Sequence, residues 1–504
     1  MTLKKSNLMT IQTQLNNTFA GIILKLFSDF LIHYLWEKRW FFIALFVGGV
    51  LMLAPTPNGL SPDGMIVLAM SIMATIMFIA EPIPLPAVAL LIILGQIFLL
   101  GHDSSLVAKT VWNDSVLFIL GSLMLAVAVV KQNLDKRIAW LIVRITGTKT
   151  SRICFGISLV SGLLASFVGE HTVAAMMLPV GITLVTLTSD DPKKVKNLAA
   201  VLLFSIAYGA SVAGIGTPSG GARNAIMIGY WKEFFYEPSN PETYKFIVDY
   251  ARWMLFAYPM FLIQAPFVTL ILLYTFRPEY SDLSRAVVKL RQTVESQGGM
   301  TRSDWVAILL FFIILLGWIF ASDIFGMGTI AILGAVLFLV AGLVKWEDIN
   351  SGVNWGVVLL YGAAISLGIE MKETGAAEWV AMSFLSLLEP FGASDGFGLW
   401  AAVSVLTTAV TNMMSNGAAV AVLGPIVLKM ATVAGESPIT IGFITAISSA
   451  FAYLTVVGTP ACTIVYASGY LKTTDFLVVG WKMVLASTII MLLAARLYWP
   501  ILGS

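Results

Sequence analysis

Two short polar sequences interrupt long apolar stretches of the chain, and together they could hold a small charged solute. Residues 169–171 read Gly-Glu-His and residues 415–417 read Ser-Asn-Gly. Each is followed by a proline ten residues after its first member, and further along by a Gly-Thr-Pro sequence, at residues 216–218 and 458–460. Irregular polar backbone at corresponding places in two apolar halves is typical of transporters built from repeats, whose binding site lies between the halves. The doubled pattern therefore predicts one site that both halves share.

The second tripeptide offers groups that bind anions and hard cations. Ser415 has a hydroxyl, Asn416 an amide, and Gly417 an uncovered backbone at the expected start of a half-helix. Unpaired N–H groups at a helix N-terminus suit carboxylate or sulfate oxygens. Oxygen atoms at the same break can coordinate sodium. A polar patch between packed helices would use the same residue types, but its recurrence in both halves favours a binding site.

The first tripeptide carries charge. Glu170 and His171 lie in the middle of an apolar stretch, where an isolated charge costs at least about 2.5–3.5 kcal/mol, so Glu170 should face protein or a cavity. The pair could brace the hairpin tip, bind a proton or a cation, or attract an anion through a protonated His171. Arg223 follows the first Gly-Thr-Pro, where it could meet an anionic substrate or pair with an external acid such as Glu237.

The composition is that of a helical membrane protein. Of the 504 residues, 58% are hydrophobic and 12% charged, with a mean hydropathy of +0.88, whereas soluble domains carry about twice that charge. The apolar segments are about 17–25 residues long, as transmembrane helices require, and are unlike the alternating strands of a membrane barrel. The net charge of +2 gives no sign of nucleic-acid binding. Cys154 and Cys462 lie in apolar stretches and are predicted to be buried thiols.

An enzyme or an ATP-driven pump is disfavoured by what the sequence lacks. A polytopic membrane enzyme that used Glu170 and His171 as general acid and base would need a nucleophile or metal ligands nearby. The other two histidines, His33 and His102, lie at segment ends, and the sequence has no metal-spaced cluster and no glycine-rich phosphate loop. We therefore expect no cofactor.

The elements that must position these residues are apolar helices and two interrupted stretches. Residues 152–188 and 395–430 are too long for one span and carry the tripeptides near their middle. We predict that each is a re-entrant hairpin of two half-helices, since irregular backbone at membrane depth is tolerated only beside protein or a wet cavity. The Gly-Thr-Pro sequences should break helices as well, although a kink or a short loop would explain either copy alone. The other apolar segments predict eleven transmembrane helices, at residues 40–56, 64–80, 84–100, 115–131, 197–213, 253–275, 303–321, 326–344, 355–371, 438–457 and 475–498.

Basic residues give the predicted orientation. They precede the first span, flank the first hairpin and fill the central polar segment, whereas loops 57–63 and 101–114 contain a single lysine or arginine, Lys109. The positive-inside rule then places the N-terminus and the first hairpin in the cytoplasm, and eleven spans place the second hairpin and the C-terminus outside. Hairpins on opposite faces are what inverted-topology repeats require.

The fold class that follows is an all-α polytopic protein of the cell membrane, with about eleven transmembrane helices and two re-entrant hairpins in inverted-topology repeats. The predicted parts are a cytoplasmic N-terminal segment with an interfacial helix at 17–36, a first repeat, a cytoplasmic linker and a second repeat. Their boundaries are residues 1–39, 40–276, 277–302 and 303–504.

The chain resembles the divalent anion/sodium symporter family, the carriers of citrate, dicarboxylates and sulfate, over nearly its whole length. The shared features are eleven spans, two opposed hairpins and a Gly-Thr-Pro break after each. The family's signature is a Ser-Asn-Thr tripeptide at each hairpin tip. The second is kept here at residues 415–417 without its threonine. The first falls on residues 169–171, or on residues 170–172 if the alignment is shifted by one.

This resemblance implies a central anion site between the repeats and a sodium site between each hairpin tip and the following break. The residues that it assigns to the anion are Glu170, His171, Thr217, Pro218, Ser415, Asn416, Gly417, Thr459 and Pro460, to which its place in the sequence adds Arg223. The residues that match the second sodium site are Thr411, Met414, Asn416 and Gly458. The residues of the altered first site, which could take sodium or a proton, are Ser166, Gly169, Glu170 and Gly216.

We therefore expect a secondary active transporter of small divalent anions, with C4 dicarboxylates first, that is at least partly sodium-coupled and works by alternating access. The resemblance also implies a homodimer in the lipid bilayer. The altered first tripeptide leaves a second hypothesis, a sodium-independent or proton-linked anion exchanger. Carrying one net positive charge down about 100 mV contributes about 2.3 kcal/mol, which an electroneutral exchanger does not gain. Carboxylate and sulfate bind the same donors, so the sequence does not select the anion.

Overall fold

The structure, a computed structural model, contains helices joined by irregular segments and one isolated β-bridge, between Lys149 and Asp282, in the part of the chain that it describes. The interfacial helix predicted at 17–36 lies outside that part, except for its last three residues. The described residues are 34–132, 144–189, 191–288, 301–456 and 458–503.

The helices are numbered here in chain order, and the two halves of the chain are given separately. Those of the first half are α1 (Arg39–Leu53), α2 (Pro62–Ala80), α3 (Leu85–Phe98), α4 (Ser104–Val111), α5 (Asp114–Lys131), α6 (Thr150–Val168), α7 (Glu170–Thr188), α8 (Lys196–Ala213), α9 (Ala222–Phe235) and α10 (Tyr250–Phe276). Those of the second half are α11 (Arg302–Phe325), α12 (Met327–Val340), α13 (Trp346–Gly352), α14 (Trp355–Glu373), α15 (Ala376–Leu388), α16 (Gly396–Thr411), α17 (Asn416–Val433), α18 (Pro438–Ser448), α19 (Pro460–Tyr466) and α20 (Thr473–Leu497).

The number of apolar helices agrees with the prediction. Within the described residues, ten helices are long and apolar enough to cross a membrane, and a bent pair that ends in α16 would make an eleventh. Four of the predicted spans are shorter helices, and the arms α6, α7 and α17 of the hairpins are themselves 18 or 19 residues long. The re-entrant path of the hairpins therefore stays a prediction. The shorter helices are α1, α3, α12 and α18.

The predicted span at 438–457 is wrong in its second part. Helix α18 ends at Ser448, and the residues from 449 to 456 are irregular. Asn412 in the second hairpin explains this, because its side chain donates to the Phe451 carbonyl at 3.2 Å and accepts from the Leu454 N–H at 2.9 Å. A side chain thus satisfies backbone groups that a helix would otherwise pair internally. Hydropathy does not reveal the end, because the irregular segment is itself apolar.

In each predicted hairpin the helical structure is interrupted at the polar tripeptide. Gly169 separates α6 from α7 with φ +90° and ψ 146°, a conformation that glycine adopts without the strain of a side chain. In the second hairpin, α16 ends at Thr411 and α17 begins at Asn416. The Ser415 hydroxyl caps α17 by accepting from the Ala418 N–H at 3.4 Å.

Both Gly-Thr-Pro sequences interrupt helical structure, as predicted. The Thr217 hydroxyl accepts from the Gly220 N–H at 3.2 Å and caps a short 3₁₀ turn, after which α9 begins. The Thr459 hydroxyl accepts from the Cys462 N–H at 3.1 Å and caps α19, whose first residue is Pro460. In each half the threonine satisfies an orphan N–H and the proline starts the next helix, where it needs no donor.

The helices pack so that each hairpin meets the broken helix of the other half. Helix α9, after the first break, packs on α17, and α19, after the second break, packs on α7. Within each half the helix before the break lies against both hairpin arms, α8 on α6 and α7, and α18 on α16 and α17. Both tripeptides and both breaks therefore converge in the interior.

Candidate functional site

A cavity of about 690 Å³ lies where the two hairpin tips and the two breaks converge. Thr217 and Thr459, which were predicted to line the anion site, are fully buried behind its wall, where they cap helices. The other eight residues predicted to contact the anion all line the cavity: Glu170, His171, Pro218, Arg223, Ser415, Asn416, Gly417 and Pro460.

One carboxylate oxygen joins the two halves of the molecule at the cavity wall. Glu170 Oε1 lies 3.3 Å from Arg223 Nη1 and accepts from the Asn416 side-chain amide at 3.0 Å. Glu170 is a residue of the first tip, Arg223 of the first broken helix and Asn416 of the second tip. The Glu170 side chain is therefore buried with a cation beside it, which satisfies the requirement for a charge at membrane depth.

The structure shows which partners these charged residues contact. Arg223 pairs with Glu170 and not with an external acid such as Glu237. Glu170 is buried and bonded to Arg223 and Asn416, whereas the neighbouring His171 side chain is exposed to the cavity. Glu170 therefore bonds to residues of both halves, whereas His171 faces the cavity that both residues line.

Helix ends make the backbone of the cavity wall electropositive, while the charge of Arg223 is balanced by Glu170. Helices α7, α9 and α17 begin at residues that line the cavity, namely Glu170, Ala222 and Asn416. A helix N-terminus acts as roughly half a positive charge and presents unpaired N–H groups. Three such ends around one space suit a small anion. Arg223 Nε and Nη2 are buried and have no hydrogen-bond partner among the described residues.

Some residues of the second predicted sodium site lie within hydrogen-bond distance of one another. The Thr411 hydroxyl lies 2.9 Å from Asn416 Oδ1 and 2.6 Å from the backbone oxygen of Ser449. These three oxygens, from the hairpin and from the segment after α18, are the hard donors that a sodium ion prefers. Gly458 lies instead beside Thr455, whose hydroxyl donates to the Asn412 carbonyl at 3.0 Å. Met414 is buried, and its N–H donates to Val410 at 3.1 Å.

The first predicted sodium site has its oxygens bonded to the protein itself. The Ser166 carbonyl accepts from the Thr217 hydroxyl and from the Ser219 hydroxyl, the latter at 3.3 Å. The Ser166 hydroxyl lies 3.1 Å from the Ala213 carbonyl, which also accepts from the Gly216 N–H at 2.8 Å. The hairpin and the break are therefore tied together directly, and Gly169 lines the cavity beside them.

Tyr361 in α14 is a cavity residue that no sequence motif marks. A Cβ atom at Gly417 would clash with its hydroxyl, so Tyr361 occupies space that a threonine at position 417 would need. This accounts physically for the missing threonine of the second tripeptide. Asn412, whose side chain bonds to the irregular backbone after α18, is also absent from the predicted site. The only feature of the sequence that could have indicated it is an additional amide side chain in an apolar stretch.

At its other end the cavity reaches an ion pair on the surface. Lys131 at the end of α5 lies 2.7 Å from Asp348 in α13, and both residues line the cavity. The hydrogen bond from Lys131, followed by one from the Lys345 N–H, lowers the pKa of Asp348 below its usual value. Lys131 is about half exposed, so this end of the cavity opens to the solvent.

Comparison with known proteins identifies the chain. The family model described as "Sodium:sulfate symporter transmembrane region" matches residues 35–504, nearly the whole length. The chain belongs to this family. This member of the sodium:sulfate symporter family is a multi-pass membrane transporter and not an enzyme.

Relatives in two kingdoms carry related names. The chain is 26% identical over 476 residues to a sodium-dependent dicarboxylate transporter, SdcS, of Staphylococcus saprophyticus, covering 89% of this chain and 88% of that protein. The SdcS of Staphylococcus aureus strain USA300 is 27% identical over 491 residues, 91% of each protein. The sodium-dependent high-affinity dicarboxylate transporter 3 of Caenorhabditis elegans is 26% identical over 80% of this chain and 77% of its own length.

A solved structure supports the fold. The chain superposes on the YdaH transporter of Alcanivorax borkumensis with a TM-score of 0.52 and 14% identity, over 76% of this chain and 85% of that one. At this identity the likeness concerns the arrangement of helices alone.

Proposed function

We propose that this symporter-family protein carries small divalent anions, C4 dicarboxylates first, with at least partial coupling to sodium and by alternating access. The observation that carries the proposal is the single Glu170 oxygen contacted by Arg223 and Asn416, inside a cavity to which both halves contribute. The names of the relatives add sodium and dicarboxylate. The cavity volume of about 690 Å³ is in the range typical of small-molecule sites.

The anion would bind at the tips, where the starts of α7, α9 and α17 surround it. The second sodium site, at Thr411 and Asn416, would lie directly behind one of these tips, since Asn416 belongs to both sites. Sodium bound there would fix the Asn416 side chain and add positive charge next to the anion. The two solutes would then bind cooperatively, as coupled transport requires.

Alternating access follows in this proposal from the inverted arrangement of the halves. In the proposed orientation Lys131 and Asp348 face the cytoplasm, together with the N-terminus, so the cavity is open to that side. The opposite state would arise by moving the hairpins and broken helices as one unit relative to the remaining helices. A homodimer in the cell membrane, with the helices outside that unit at its interface, completes the proposal.

Uptake into proteoliposomes tests the function. We expect labelled succinate to accumulate when a sodium gradient is imposed, and labelled sulfate to report on whether the site accepts another dianion. Accumulation driven by sodium supports the proposal. If neither anion is taken up or exchanged, with or without sodium, the assignment as a divalent anion carrier is wrong.

A sodium-independent or proton-linked exchanger is the second candidate, and one observation favours it. Arg223 already neutralises Glu170, so the first half needs no added cation to hold a carboxylate at membrane depth. A Glu170→Gln variant distinguishes the two by its sodium and pH dependence of uptake. Unchanged profiles would remove Glu170 from coupling, whereas loss of a pH dependence present in the wild type would favour the proton-linked exchanger.

A further inference from the structure

We propose that the Arg223 guanidinium is a built-in cation that fills the first ion site, so that one sodium ion, bound in the second half, accompanies each dianion. This inference rests on the proposed function and specifies the number of sodium ions that accompany each anion. In the first half, the Arg223 side chain would then take the place that a bound sodium ion would otherwise occupy.

The Arg223 guanidinium packs closely against the backbone of the first break. A Cβ atom at Gly214 would lie 2.7 Å from Arg223 Nη2, and a Cβ at Gly221 would lie 2.7 Å from Nη1. Side chains do not approach so closely, so a side chain at either position would displace the guanidinium from the place that it occupies. The φ of Gly221 is −167°, an extended conformation that any residue adopts, which leaves space as the reason for that glycine.

Hydrogen bonds from Asn224 fix the backbone of the break around the guanidinium. The Asn224 side-chain amide donates to the Gly214 carbonyl at 2.8 Å and to the Thr217 carbonyl at 2.7 Å. Asn224 and Arg223 are both buried and adjacent at the start of α9. The same short segment therefore shapes the break and places a cation in it, between the backbone and the hairpin tip at Glu170.

The corresponding positions of the second half carry no charge. Arg223 is five residues after Pro218, and the residue five after Pro460 is Val465, which is buried. The second member of the second tripeptide is the neutral Asn416 instead of Glu170. There the gap between tip and break presents the oxygens of Thr411, Asn416 and Ser449, with no cationic side chain among them.

Electrostatics makes the two arrangements mutually exclusive. A sodium ion next to Glu170 would lie beside the guanidinium, and like charges at such distance in a low-dielectric interior repel strongly. The charge of Arg223 therefore disfavours sodium in the first half.

Equilibrium binding of radioactive sodium to the purified full-length protein, with succinate present, measures the number of sites. For the wild type we expect about one sodium ion per chain and a Hill coefficient of about 1. Arg223→Gln leaves Glu170 without its cation. For this variant we expect about two sodium ions per chain and a Hill coefficient approaching 2. Arg223→Lys keeps a positive charge and should still bind one. Lys232→Gln removes an exposed charge from the same helix and should leave the wild-type count.

The wild-type count alone can overturn the inference, because either no sodium or two sodium ions per chain contradicts it. A folded Arg223→Gln protein that still binds one sodium also contradicts it. If that variant does not fold, E170N/R223V, which copies the residues of the second half, replaces it with the same expectation of two. Anion uptake is measured separately, so failure of the carrier assignment and failure of the one-sodium count are distinguishable.

Discussion

The two halves of the site share a backbone plan and differ in their chemistry. Each has a hairpin tip, a Gly-Thr-Pro break and a threonine that caps the following helix. The first half fills the gap between tip and break with the Glu170–Arg223 ion pair, and the second fills it with neutral oxygens around Thr411. The backbone plan depends on glycine, proline and threonine, whereas the ion chemistry depends on two or three side chains that can change without altering the plan.

The largest expected effect comes from removing the residue that belongs to both halves. Asn416→Ala deletes the amide that donates to Glu170 and the oxygen beside Thr411. A hydrogen bond to a charged group is worth about 1.5–3 kcal/mol, which corresponds to roughly 10- to 100-fold at about 1.4 kcal/mol per tenfold. We expect a loss of that size in sodium-driven succinate uptake, together with a weaker sodium dependence.

The matched control for this variant is Asn350→Ala, which removes an exposed amide from α13. It should leave uptake at the wild-type level. A folded Asn416→Ala protein with uptake within about twofold of the wild type would show that the two tips do not act on one solute, and the comparison of the halves would lose its functional meaning.

The sequence predicted the parts of this site that depend on the backbone plan. The doubled tripeptides and Gly-Thr-Pro sequences located the interruptions between helices in both halves, where glycine, serine and threonine shape or cap the helix ends and proline begins a helix. Family membership and the apolar helix count agree with the prediction as well. The predicted orientation, repeat boundaries and dimer stay predictions.

The sequence could not predict the contacts that depend on packing between distant helices. Tyr361 lies on α14, far along the chain from Gly417, and nothing in its neighbourhood marks it as part of a site. The sequence also left the ion-pair partner of Arg223 undetermined, because Glu170 contacts Arg223 only once α7 and α9 are part of the folded structure. The end of α18 was missed because Asn412, in another element, replaces its helical hydrogen bonds.

An intermediate effect is expected at the missing threonine of the second tripeptide. Gly417→Thr places a Cβ against the Tyr361 hydroxyl, so this variant should unfold at a lower temperature and transport more slowly. Tyr361→Ala removes the obstruction, and the double variant should recover part of both properties. Contacting residues in such double-mutant cycles show coupling of about 0.5–3 kcal/mol.

Thermal unfolding and succinate uptake of the four proteins in the cycle measure this coupling. Gly49→Thr is the control, because a Cβ at Gly49 has no neighbour within 4 Å, and its effect should not depend on Tyr361. Additive effects of Gly417→Thr and Tyr361→Ala would mean that Tyr361 does not take the place of the threonine side chain.

The smallest effect is expected at the solvent end of the cavity, away from both tips. The Lys131–Asp348 pair is partly exposed, and exposed pairs contribute little because water screens them. Asp348→Asn should therefore change succinate uptake by less than about twofold at neutral pH.

Because the pKa of Asp348 is lowered in the folded protein, its stabilising effect is present above the unfolded pKa and is lost as pH falls through the folded value. The difference in unfolding temperature between wild type and Asp348→Asn should thus stay constant from pH 8 to 5 and shrink only below about pH 3.9. A difference that changes between pH 8 and 5, or a large loss of uptake, would place part of the coupling chemistry at this end of the cavity instead of at the tips.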